Sequence, residues 1–158
     1  MFEQILELNS LSLRGYSTRM SLVDNKTPSL WKEFMQSYHK KLENHPKEFY
    51  SLEIYDSLDY FREFNPNESF EKYAMVESNR LESTNDEKLK SLTIKGKYAV
   101  FLHKGAASKI GETYEFIMSK WLINSGQNLD NRPFFSIMDE GYLGENPKSQ
   151  ERIYIPIQ

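Results

Sequence analysis

The chain has 158 residues, with 20 Lys and Arg against 23 Asp and Glu, a formal charge of -3, no cysteine and three histidines. A chain of this length fits one globular unit around one core, and its charge offers no basic field for a phosphate backbone. Disulfides and thiolate metal sites are excluded, and His39, His45 and His103 show no ligand spacing, so neither metal nor other cofactor is expected. The N-terminus, MFEQILELNS, lacks the basic and apolar runs of a signal peptide. No window approaches the ~20 apolar residues that span a bilayer, so a soluble cytoplasmic protein without membrane contact is expected. Ten Phe, ten Tyr and two Trp exceed what a core of this size needs and suit a pocket for flat organic ligands.

In chain order, residues 11–22 (LSLRGYSTRMSL) read as a strand that ends in the turn residues DNKTP. Thr27 is placed to cap a helix with Pro28 at its first position. Leu30, Trp31, Phe34, Met35, Tyr38 and Leu42 then recur at helical spacing. Residues 48–56 and 70–78 read as strands, separated by a loop containing Asn65-Pro66-Asn67. The second half repeats the order. Residues 91–103 form a strand, Lys104-Gly105 a turn, Ser108 to about Asn124 a helix stopped at Ser125-Gly126, and 133–138 and 151–157 two more strands.

Specific words recur with that order. RGY (14–16) matches KGKY (95–98), FYS (49–51) matches FFS (134–136), and Asn-Pro precedes the last strand of each half. The chain therefore reads as one domain, 1–158, made of two βαββ repeats at about 8–80 and 89–158, an α+β fold with antiparallel sheet and one helix per repeat on one face. The charged run 82–90 is a connector. Two related halves leave a groove along their pseudo-twofold, expected on the sheet face that the helices leave over.

Period-two alternation groups Phe134, Ser136 and Met138 on one face of their strand, and likewise Tyr73, Met75 and Glu77. On the last strand Ile153, Ile155 and Ile157 mark the core face, which turns Tyr154 the other way. With Tyr16, these residues form the candidate ligand-binding set: Tyr16, Tyr73, Met75, Glu77, Phe134, Ser136, Met138 and Tyr154. Rings and thioethers beside an acid suit flat or cationic molecules. Trp31 and Trp121 read as core, and Tyr142 as either a groove residue or a loop cover.

PSLWKEFM (28–35), FEKYAMVE (70–77), GKYAVFLHKG (96–105), IMSKWLINSG (117–126), LDNRPFFSIMD (129–139) and ERIYIPI (151–157) together resemble the GyrI-like small-molecule-binding family. That family includes the effector-binding domains of AraC-type and MerR-type multidrug regulators. The resemblance implies a pseudo-twofold pair of βαββ repeats with a ligand groove between them. It also implies a buried Glu, just after the Phe of Arg-Pro-x-Phe, that pairs with cationic drugs.

Here Ser136 occupies that position, so a preference for neutral ligands is expected unless Glu77, Asp139 or Glu140 supplies the charge. No helix-turn-helix pattern precedes the first repeat, so a stand-alone binding domain is expected, sequestering or sensing toxic compounds. Two alternatives follow from the resemblance: a DNA gyrase inhibitor or regulator-binding protein, and a hydrolase of electrophilic small molecules. Without the family Glu, and with no His-acid relay visible for Ser136, the hydrolytic machinery looks incomplete.

Overall fold

The computed structural model describes residues 1–42, 48–81 and 85–158. His45 and part of the 82–90 connector lie outside the described residues. The first βαββ unit comprises β1 (Phe2–Met20), α1 (Thr27–Leu42), β2 (Phe49–Ile54) and β3 (Phe70–Glu77). The second comprises β4 (Lys90–Lys104), a helical rod, β5 (Phe134–Met138) and β6 (Gln150–Pro156). The rod runs from α2 (Ile110–Phe116) through a π-helical turn (Ile117–Trp121) to α3 (Leu122–Ser125), where Gly126, at φ 70°, ends it in the left-handed region that glycine favours. Among the described residues, no helix is long and apolar enough to cross a membrane.

Two caps differ from expectation. Asn25, not Thr27, supplies the capping oxygen, accepting from the Thr27 N–H at 3.0 Å, while the Thr27 hydroxyl turns to Met20 Sδ at 3.4 Å. Ser108 lies in a short 3-10 turn ahead of α2. Its N–H and hydroxyl are both held by the Glu145 carboxylate, at 3.0 and 2.6 Å.

All pairings between the strands are antiparallel, and the strands close into a ring in the order β1-β3-β2-β5-β6-β4. Closure depends on β1, which starts nine residues earlier than its sequence suggests. Its first half mixes Glu3, Gln4, Glu7 and Asn9 with apolar residues and so hides its strand character. That half pairs with β4 from Phe2↔Phe101 to Leu8↔Gly96, shifts register between Leu8 and Leu11, and continues to Gly15↔Lys90. From Leu13 onward β1 also pairs with β3, up to Met20↔Phe70. Residues 13–15 are thus bonded on both sides, which curls the sheet and leaves no free edge there.

The curl gives the two sheet faces different tasks. The inner face closes on itself and fills with Leu13, Tyr50, Leu52, Tyr73, Met75, Ile94, Tyr98 and Phe135, with Tyr154 stacked on Phe135 at 4.4 Å. The outer face carries the helices. α1 packs Leu30, Phe34, Tyr38 and Leu42 over Tyr16, Ala74 and Val76. The second rod covers Ala99, Phe101, Ile153 and Ile155.

Arg132 ties the strand ends together. Its guanidinium donates to the carbonyls of Lys95, Lys97 and Ile157 at 2.7–2.9 Å, lies over the Tyr98 ring at 4.8 Å, and is paired with Asp130. The Arg of the Arg-Pro-x-Phe motif is therefore structural in this chain.

The register also tests the recurring words. β2 and β5 are neighbours with Ser51↔Ser136 as direct partners, so FYS and FFS are related by a twofold through that serine pair. RGY and KGKY are not equivalents. Tyr16 pairs with Ala74, whose counterpart Ile153 pairs with Phe101, so Tyr16 corresponds to Phe101 on the outer face while Tyr98 lies inside.

A Cβ on Gly15 would lie 1.9 Å from the Ala74 carbonyl oxygen, so β3 approaches β1 at a distance only glycine permits. Gly15→Ala is expected to cost about 2 kcal/mol, as overpacking typically does. In a chain of this size that lowers the melting temperature by roughly 4–8 °C. Calorimetry showing an unchanged melting temperature would contradict this role for Gly15.

Candidate functional site

The outer face at the β2/β5 junction is not filled by either helix. Ser51 and Ser136 meet there, and their small side chains leave room above the sheet; both are buried. The cavity above them has a volume of about 660 Å3. α1 supplies Trp31 and Met35 as one wall, and α2 supplies Ile110 and Tyr114 as the other. Phe49 and Met138 extend the floor, and Asp139 and Tyr142 reach in from the β5–β6 connection.

The twofold through the serines makes the floor symmetric in backbone but not in charge. Lys72, two residues before the Ala74 that faces Ser51, corresponds to Glu151, two residues before the Ile153 that faces Ser136. Glu53, beside Lys72, corresponds to Met138, which the same register sets beside Glu151. One half therefore carries an ion pair. Lys72 Nζ lies 2.8 Å from Glu53 Oε1, with only 10% and 17% of the two side chains exposed. Glu53 Oε2 is buried with no hydrogen-bond partner among the described residues.

The other half carries Glu151, which is 7% exposed and lines the same cavity as the Ser136 hydroxyl. Burial raises its carboxyl above the ordinary carboxylate range, against the opposing pull of Ser136, His103 and Lys72. Tyr114 lies within electrostatic reach of both Glu53 and Glu151. Burial and those two charges hold its phenol well above the usual value, so it remains a neutral hydroxyl. Among the described residues no three His, Asp or Glu side chains converge on a metal site.

Of the eight candidate residues, the cavity brings together Ser136 and Met138. Tyr73, Met75 and Tyr154 face the closed interior instead, because the face expected to remain open is consumed by ring closure. Glu77 lies outside the cavity, accepting from the Tyr50 hydroxyl at 3.1 Å. Tyr16 is on the outer face but beneath α1, bonded to Asp86. Phe134 shares a face with Ser136 but is sealed under Tyr55 and Phe61.

Trp31, read as core, forms part of the wall, and Tyr142 and Asp139 do reach the cavity. Sequence reasoning missed Ser51, Glu53, Lys72, Tyr114 and Glu151. Two signals were available. The FYS/FFS repeat makes Ser51 the mate of Ser136, and Glu151 shares alternation parity with Ile153, so it sits on the face taken to be purely apolar.

Proteins of known structure share this architecture. SAV2435, solved bound to tetraphenylphosphonium, is 18% identical with a TM-score of 0.68, the match covering 100% of this chain and 94% of that one. The integron cassette protein VCH_CASS2 from the mobile metagenome of Vibrio cholerae is 18% identical with a TM-score of 0.68, covering 99% and 97%. At such identities the likeness is one of fold. The transcriptional regulator BrlR of Pseudomonas aeruginosa is 40% identical over 62 residues, which are 39% of this chain and only 23% of that regulator's length. The model of the family described as integron-associated effector binding protein matches residues 4–157. With that match spanning nearly the whole chain, and with the GyrI-like pair of βαββ repeats in place, the chain belongs to the Cass2 family of integron-associated effector-binding proteins.

Proposed function

We propose that this chain binds small aromatic or lipophilic organic molecules, cations foremost, in the cavity between its two helices, and that Glu151 is the counter-charge. The observation that carries this reading is a carboxylate buried at the floor of an aromatic-walled cavity with no directly paired cation among the described residues. A buried charge of this kind is costly when the cavity is empty and is compensated when a cation enters. Trp31, Tyr114 and Tyr142 supply ring surface to an organic cation, and Met35 and Met138 adapt to its shape.

The neutral-ligand preference suggested by Ser136 gives way in this reading. The acid missing from β5 is replaced from the neighbouring strand, where Glu151 lines the same cavity as Ser136. The solved complex of SAV2435 with tetraphenylphosphonium supports the same ligand class by likeness of fold. Hydrolysis through Ser136 is less favoured, because His103, the one described histidine near Glu151, has both ring nitrogens engaged by the Thr113 hydroxyl and the Ala106 carbonyl and so cannot relay a proton from Ser136.

Calorimetric titration with tetraphenylphosphonium tests the assignment. Glu151→Gln is expected to weaken binding about 10- to 100-fold, and Glu77→Gln to leave it unchanged. Equal binding by wild type and Glu151→Gln would rule Glu151 out.

A pH series tests the same carboxyl in the free protein. Its native pKa lies above its unfolded value, so the native state holds the proton longer, and stability present at low pH is lost as pH rises through the native pKa. The melting temperature of Glu151→Gln relative to wild type should therefore rise as pH climbs out of the ordinary carboxylate range and through the raised native pKa. Tetraphenylphosphonium should bind wild type more tightly over the same interval, with proton release. A pH-independent difference between the two proteins would contradict this.

A further inference from the structure

The ion-paired half of the cavity floor has a feature that a simple cation pocket does not require. We infer that Glu53 Oε2 is an acceptor subsite for a neutral N–H or O–H donor carried by the same ligand whose positive charge rests at Glu151. Ligands are thus selected for a donor as well as for charge. This rests on the cation-binding reading above and adds a second, chemically different contact.

Three observations converge on it. Glu53 Oε1 is taken by Lys72 Nζ at 2.8 Å, while Oε2 is buried and has no partner among the described residues although the side chain lines the cavity. A buried carboxylate oxygen left without a donor is costly, and a ligand donor removes that cost. Next, Lys72 already neutralises Glu53 and would repel a second positive charge, so this half suits an uncharged donor. Glu151, at the position related to Lys72 by the twofold, has no such pairing. Finally, Glu53, Glu151 and Tyr114 line one cavity, and both carboxylates act on the Tyr114 phenol, so one flat molecule lying along that ring spans both. The asymmetry fixes the ligand's direction in a cavity whose backbone frame is symmetric.

Proflavine and acridine orange test this. Both are flat acridinium monocations near neutral pH. Proflavine carries two free aromatic amino groups, and in acridine orange those nitrogens are fully methylated and cannot donate. Fluorescence titration compares wild type with Glu53→Leu/Lys72→Leu, which removes the acceptor without stranding a charge, and with Glu53→Gln. In Glu53→Gln the amide oxygen is expected to stay on Lys72, which puts an NH2 donor in place of the Oε2 acceptor. Thermal melts verify folding of each variant, and Glu53→Gln serves if the double variant does not fold.

The ratio of proflavine to acridine orange affinity is expected to fall about tenfold in both variants. If both dyes bind wild type and the ratio is the same in every folded variant, the donor subsite is wrong while the cation reading stands. If neither dye binds wild type, the cation reading fails and takes this inference with it.

Discussion

The structure depends on β1 pairing on both of its edges. Because residues 13–15 bond to β3 on one side and β4 on the other, the sheet closes, and its inner face becomes an interior of packed aromatic and aliphatic side chains. Gly15 permits the closest approach in that curl. Once the inner face is committed to the core, a site has to form on the outer face. Two helices, one per repeat, leave the seam where the repeats meet uncovered. Position, walls and size of the cavity follow from that closure.

At the seam the duplication leaves two serines face to face, and everything specific comes from departures from symmetry. Lys72 and Glu151 occupy related positions with opposite charge, and Glu53 and Met138 related positions with opposite polarity. One half is an internally satisfied ion pair with an oxygen to spare. The other is a carboxylate whose pKa burial raises, with no ion-pair partner among the described residues. Such a floor is less stable empty than an apolar one of the same shape, which is the usual mark of a surface kept for a ligand rather than for the fold.

Much of this was legible in the sequence. The βαββ order, both helices, the Gly126 stop and the FYS/FFS equivalence were readable because periodicity and turn chemistry are local. The extent of β1 was not, because its polar first half gains strand character only by pairing with β4, a contact about ninety residues away. That one miss moved the site. Without ring closure the face of Tyr73, Met75 and Tyr154 appears open, whereas with closure it is the core. Glu151 was hidden for a related reason. Alternation assigns it to the isoleucine face, and only the gap between the helices shows that this face stops being apolar core before it reaches the strand's first residues.

The central claim is that a cation binds outside the ring, between α1 and α2 and against Glu151. A crystal structure with tetraphenylarsonium, using the anomalous signal of arsenic to place the ligand, tests it most directly. The predicted result is an arsenic peak in the cavity above Ser51 and Ser136, with phenyl groups against Trp31 and Tyr114 and the Glu151 carboxylate as the nearest acid. A peak inside the ring beside Tyr73 and Tyr154, or next to Glu77, would contradict it.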